Sequence, residues 1–311
     1  MMTLSSLIDV HRLFRERDSH KIFDASWFLG DDTRTESKGL LAYQQGHIEG
    51  ASFFDIDDVA CRHSTLPHML PSIARFSSWA ICHGVIRQQS IVVYDVHATM
   101  MSAARLWWML RCFGYDHVFI LDGGLSAWKQ AGYPVVSGDM EERAMRHRHV
   151  TSHQDRGGDT SGDVGVMKAL AEDRRGRYRA TLDDVRQALD NPRVQLVDGR
   201  PRQRFLGRER EPRPHLACGH IPHSINLPFT ELTDTEGCLH QPSTLAALLD
   251  SVGGDIHRET ITSCGSGITA CLLAFVFHML GNDSVRVYDG SWAEWGDVCR
   301  DNIWTGDMRG V

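Results

Sequence analysis

No two of the eight cysteines, at positions 61, 82, 112, 218, 238, 264, 271 and 299, form a C-x-x-C pair. That leaves neither a zinc-binding pattern nor a disulfide framework, and it reads as a reducing compartment with no metal site. Long apolar runs are missing too. The most apolar stretch, Ala270 to Leu280, is too short to span a bilayer and reads as a core helix. Met1 to Lys21 carries Leu4, Leu7, Ile8 and Leu13, but Asp9, Arg12, Arg15, Glu16, Arg17 and Asp18 break it up, which excludes a secretory signal. The expected location is therefore cytoplasmic, or mitochondrial in a eukaryote, with no membrane partner. Positive charge is also in deficit: the net charge is -7, which argues against nucleic acid as a general partner.

What the chain does contain is a duplication. With 311 residues, 42% of them hydrophobic, it is long enough for two domains. Lys21-Ile-Phe-Asp24 returns as Gln195-Leu-Val-Asp198, and Gly46-His47-Ile48 returns as Gly219-His220-Ile221. Ser90-Ile-Val-Val-Tyr-Asp95 returns as Thr260-Ile-Thr-Ser-Cys264, with Asp95 over Cys264. Val118 to Trp128 returns as Val285 to Trp292. The order is kept and the spacing drifts smoothly, as for a repeated domain with small length changes. Each copy alternates short β-branched runs with helical patterns, which predicts α/β domains with mainly parallel sheets and helices on both faces. The expected boundaries are 1–136 for the first domain, 137–179 for a polar, flexible linker and 180–311 for the second. Within the linker, His147, His149 and His153 have no carboxylate or cysteine at ligand spacing and read as solvated rather than metal-binding.

The chain is organised around Thr260-Ile-Thr-Ser-Cys264-Gly-Ser-Gly-Ile-Thr-Ala270, which reads as strand, tight loop and helix start. A cysteine there faces unpaired backbone N–H groups and the positive end of a helix dipole, both of which favour a thiolate. Gly265 and Gly267 let the amides of Gly265 to Thr269, including Ile268, fold inward around one anion. The alternative is a buried structural cysteine. A phosphatase loop needs an arginine where Ala270 stands, so phosphate is excluded. In the first copy, Asp95 replaces the nucleophile and Val96 to Thr99 contain no glycine. That domain is expected to be catalytically silent, to lack a comparable amide cradle and to lend residues across the cleft.

Two further patches carry chemistry. Arg204-Phe-Leu-Gly-Arg-Glu-Arg-Glu-Pro-Arg213 offers arginine forks on a loop, suited to a small organic acid, against the plainer reading of a charged surface loop. Asp57, with Asp55 as its rival, precedes His68 in Leu66-Pro-His-Met-Leu-Pro71. An Asp orienting a His that bonds a hydroxyl, here Ser266, makes a proton relay, unless these residues are helix caps and interface packing. Tyr288 to Trp295 is assigned no catalytic role: its aromatics are expected at the cleft rim and Asp289-Gly290 in a turn.

In this order the motifs resemble the mercaptopyruvate sulfurtransferases of the two-domain rhodanese family. The elements shared are Cys264-Gly-Ser-Gly267 with its following Ile-Thr, the R-F-x-G-x-x-x-E-P-R run, the F-D-I-D and H-M-L-P elements, and Gly219-His-Ile-Pro222. His223-Ser224 departs from the Gly-Ala usual there. The resemblance implies two tandem rhodanese-like domains, a persulfide on Cys264, and Arg204 and Arg213 holding a substrate carboxylate. It also implies an Asp57-His68-Ser266 relay, and transfer of sulfur from 3-mercaptopyruvate to thioredoxin, a small thiol or cyanide. No cofactor is implied. Relatives specialised for thiosulfate resemble C-R-K-G in this loop, whereas Gly265 and Ser266 are neutral; a non-catalytic rhodanese-like binding module would show a defective loop.

Overall fold

The structure is a computed structural model and describes residues 6–30, 37–138 and 171–306. The first domain is built from β1 (Leu7–Ile8), α1 (Val10–Glu16), β2 (Lys21–Asp24), α2 (Lys38–Gln45), β3 (His47–Ile48), β4 (Ser52–Phe53), α3 (Ile56–Val59), α4 (Ile73–Cys82), β5 (Ile91–Tyr94), α5 (Met101–Cys112), β6 (Val118–Leu121), α6 (Gly124–Gln130) and β7 (Val135–Val136). The second comprises α7 (Arg175–Tyr178), β8 (Arg179–Ala180), α8 (Leu182–Leu189), β9 (Val194–Asp198), α9 (Arg202–Phe205), β10 (Ile225–Asn226), α10 (Pro242–Ser251), β11 (Glu259–Ser263), α11 (Thr269–Met279), β12 (Val285–Tyr288) and α12 (Ser291–Val298).

The duplication in the sequence is a duplication in space. The first sheet runs β1-β6-β5-β2-β4 and the second β8-β12-β11-β9-β10, every pair parallel. Position for position the two orders coincide. The central strands are buried along nearly their whole length, as expected where helices cover both faces of a parallel sheet. Even the departure at His223 has a local explanation. Its φ is 62°, and the equivalent Gly50 sits at 86°, so a glycine would enter this left-handed turn without strain. His223 is held there edge-on to Trp304, with ring centroids 4.4 Å apart.

The two domains share one continuous core. α11 is buried on nearly every side, from Ala270 to Phe277, because one face lies on its own sheet and the other on α5. Trp107 meets Phe275 edge to face across this contact, at 4.9 Å, within a single apolar cluster that runs from Phe23 and Val93 through to Val197 and Val287. Of the expected linker, residues 139–170 lie outside the described residues, and with them the three linker histidines. Residues 171–178 pack on the first domain: the N–H groups of Glu172 and Arg174 donate to Phe113 O and Cys112 O at 2.9 Å each. The second sheet begins at Arg179.

Candidate active site

In parallel sheets the carboxyl ends of neighbouring strands bring their following loops side by side. Ser263 at the end of β11 pairs in register with Asp198 at the end of β9, so the 264–269 loop lies beside the 199–213 loop. Cys264 follows directly and is buried, at 2% exposure. Gly267 N–H donates to its Sγ at 3.2 Å, and α11 starts at Thr269, just beyond Ile268. Gly267 is required in the strict sense: its φ is 80°, and a Cβ would sit 2.6 Å from Asp289 O. Gly265 is favoured for space alone. Its backbone is not left-handed, but a Cβ would stand 3.2 Å from the Arg204 guanidinium. Ser266 is buried in the same loop.

In the first-copy loop the Asp95 carboxylate is held by the chain itself. Its carboxylate accepts the N–H groups of Ser102 and Ala103, at 2.9 and 2.8 Å, and the Ser102 hydroxyl at 2.7 Å. Contrary to expectation an amide cradle does exist there, but the chain's own carboxylate fills it. Met100 takes the left-handed turn, with φ 50°. Nearby Asp24 is pushed up to about 6, chiefly by burial, with the Asp95 charge adding to it. Its second-domain equivalent, Asp198, is instead paired at 2.7 Å with the buried Arg200.

The arginine loop is anchored by Glu211. This buried carboxylate bonds Arg200 at 2.9 Å on one oxygen and Arg204 on the other. Arg200 also stacks 4.2 Å over Trp292, which makes it structural. Arg204 reaches the nucleophile loop beside Gly265, and its Nε is buried without a partner. The Arg213 guanidinium makes no hydrogen bond among the described residues. It lines a cleft of about 80 Å³ with Pro212 from the second domain and Trp27, Leu29, Asp57 and His68 from the first.

The rivalry between Asp55 and Asp57 is resolved by geometry. Asp55 caps α3, accepting from Asp57 N and Asp58 N. Asp57 bonds His68 Nδ1 on one oxygen and accepts Trp27 Nε1–H on the other at 2.8 Å. Partial burial would raise the Asp57 carboxyl, but the His68 and Trp27 bonds and the Arg105 charge together hold it below the usual carboxylate range. The Trp27 indole also packs edge-on against the His68 ring at 4.8 Å. His68 Nε2 is buried and unpartnered, and no hydrogen bond joins it to Ser266. The Asp–His half of the expected relay is therefore assembled and its last link is open.

Three residues of this site escape sequence reasoning. Ser291, left-handed at φ 48°, accepts Cys264 N–H at 3.1 Å and holds its hydroxyl 3.9 Å from the sulfur. Arg105 and Asp289 form a buried ion pair at 2.8 Å between the domains. Trp292 and Trp295, expected at the cleft rim, are instead fully buried; α12 turns them inward against its own sheet. The signal available for Ser291 and Asp289 was the D-G-S-W run, whose first two residues return from Asp122-Gly123 and which marks a turn without saying what the turn faces.

Among the described residues no histidine, cysteine and carboxylate group clusters as a metal site, and no helix is long and apolar enough to cross a membrane. The rhodanese-like domain family matches this chain twice, over residues 13–131 and 181–297. Thiosulfate/3-mercaptopyruvate sulfurtransferase 1, mitochondrial, of Arabidopsis thaliana is 35% identical over 92% of this chain and 74% of its own length. Human 3-mercaptopyruvate sulfurtransferase is 35% identical over 88% and 84%. The crystal structure of the 3-mercaptopyruvate sulfotransferase SseA from Escherichia coli superposes with a TM-score of 0.74 at 30% identity, covering 93% of this chain and 100% of that one. Two sheets of one topology, a single cysteine loop and these matches lead to one conclusion: the chain belongs to the rhodanese family, as a tandem of two rhodanese-like domains with the cysteine loop in the second.

Proposed function

We propose that this protein is a 3-mercaptopyruvate sulfurtransferase that carries sulfur as a persulfide on Cys264. The observation that carries this reading is the composition of one inter-domain cleft. A cysteine loop with neutral side chains at Gly265 and Ser266 stands beside Arg204, while Arg213 faces an Asp–His pair from the other domain. A dianion such as thiosulfate calls for cations at the loop, whereas a keto acid calls for a carboxylate clamp set back from the reacting sulfur and a proton donor for its leaving group.

The chemistry balances without a cofactor. The Cys264 thiolate attacks the sulfur of 3-mercaptopyruvate, the S–S bond forms, and the C–S electron pair leaves with carbon as the enolate of pyruvate. A proton delivered through Ser266 and His68, with Asp57 behind them, converts the enolate to pyruvate. Amides of the 265–269 loop, Gly267 foremost, stabilise the anionic persulfide. A thiolate acceptor, from thioredoxin or a small thiol, or cyanide in an assay, then takes the outer sulfur and restores the Cys264 thiolate.

The deciding experiment is a comparison of kcat/KM for 3-mercaptopyruvate and thiosulfate with one acceptor. A higher value for 3-mercaptopyruvate is expected. A strong preference for thiosulfate would replace this reading with the thiosulfate sulfurtransferase one, which the Arabidopsis relative's double name keeps in view.

Arg204→Gly and Arg213→Gly should each raise KM for 3-mercaptopyruvate about 10–100-fold, the worth of one charged hydrogen bond of ~1.5–3 kcal/mol. The change falls on KM because the carboxylate is the same in ground and transition states. Steady-state kinetics checks this, and an unchanged KM in both variants removes the clamp assignment.

A further inference from the structure

We infer that Arg105 and Asp289 are positioning residues for sulfur transfer, setting the register between the His68 segment of the first domain and the Cys264 loop of the second. This rests on the function proposed above. Arg105 projects from α5 and is fully buried. One of its terminal nitrogens donates to Gly267 O in the cysteine loop at 3.0 Å, and the other to His68 O. The guanidinium lies 4.6 Å over Trp108 and pairs with Asp289. The other Asp289 oxygen accepts Leu70 N–H at 2.8 Å. One ion pair thus grips both sides of the cleft, at residue 68 and residue 70 on one wall and at residue 267 on the other. Two backbone features support it. His68 is held left-handed at φ 59°, a conformation that needs external support. Gly267 leaves no room for a Cβ against Asp289 O or, at 3.2 Å, against Arg105 itself.

The duplication supplies an internal control. On the silent side Asp122 accepts Leu239 N–H at 2.8 Å, mirroring Asp289 and Leu70, so a carboxylate latch of this kind holds the domains together in both halves. The arginine has no mirror image. Its place in α11 falls to a leucine, Leu272 or Leu273, each buried. If the pair served cohesion alone, the silent half shows that apolar packing suffices, and buried ion pairs add little net stability over such packing. The arginine is present only where a proton donor must be aligned with a nucleophile.

The test uses the full-length protein. Arg105→Met/Asp289→Asn removes both charges together, keeps an acceptor for Leu70 N–H and deletes the donors to His68 O and Gly267 O. The melting transition should remain cooperative. Turnover of 3-mercaptopyruvate should fall about 10–100-fold in kcat, the scale of a misplacement near 1 Å, with KM changed less than about threefold. Alkylation of Cys264 by iodoacetamide, followed on its peptide by mass spectrometry, should stay within about threefold, because the nucleophile itself is untouched. Asp122→Asn, the matching change on the silent side, should leave kcat unaltered. An unchanged kcat in the double variant overturns the inference, as does an equal loss in Asp122→Asn or a parallel loss of Cys264 alkylation. Should the double variant not fold, Arg105→Lys carries the same test, since an ammonium keeps the pair without the planar fork that reaches both carbonyls. Failure of the functional reading is seen separately, as absence of 3-mercaptopyruvate turnover in the unaltered protein.

Discussion

Cys264→Ser should abolish sulfur transfer from 3-mercaptopyruvate, lowering turnover by at least ~10⁴-fold, the scale seen when a covalent nucleophile is removed. The substitution is nearly isosteric, and the serine oxygen can still accept Gly267 N–H, which now lies 3.2 Å from the sulfur, so the loop should keep its shape. What is lost is the capacity to hold a sulfur atom. Mass spectrometry after incubation with 3-mercaptopyruvate provides the check. The unaltered protein should gain one sulfur, removable by dithiothreitol and located on the Cys264 peptide. The seven other cysteines are also unpaired and serve as controls in the same spectrum. Sulfur retained by the serine variant would mean that another cysteine is the carrier.

His68→Asn should lower kcat with 3-mercaptopyruvate about 10²-fold, the contribution of a positioned acid or base, with KM changed by less than about threefold. Asparagine is the better probe than alanine here because it tolerates the left-handed backbone at φ 59°, so the residue 68 main-chain carbonyl stays where Arg105 grips it. The imidazole is well placed for the role. Asp57 fixes Nδ1, the Trp27 indole fixes Asp57 and packs the ring, and Nε2 is left without a protein partner. A buried nitrogen in that state is costly unless substrate or Ser266 engages it during turnover. Separate measurement of kcat and KM decides the matter, and an unchanged kcat reduces His68 to interface packing.

These residues were not equally legible in the sequence, and the difference has a physical basis. Cys264, Gly265, Ser266 and Gly267 could be read directly, because a strand, a tight loop and a helix start are local features written in adjacent positions. Arg204 and Arg213 could be singled out only through the family resemblance, since their stretch of chain carries six arginines and nothing local separates these two from Arg200, Arg202, Arg208 and Arg210. Asp57 and Asp55 could not be told apart, since both lie one short turn from the same helix start and only folding shows that Asp55 caps it. The replacement of the cysteine by Asp95 in the first copy was legible, but its surroundings were not: whether a carboxylate fills an amide cradle depends on where α5 begins relative to Asp95.

Arg105 and Asp289 show the limit most plainly. They are far apart in sequence and occupy ordinary helix and turn positions, and nothing near either one names the other. The sequence by itself determined what is local or repeated: two α/β copies and a single cysteine loop, because periodicity and loop chemistry act over a few residues. Only the tertiary structure decided which residues from the first half meet that loop. Those contacts arise from the packing of α5 on α11, which brings the carboxyl ends of two separate sheets to one cleft.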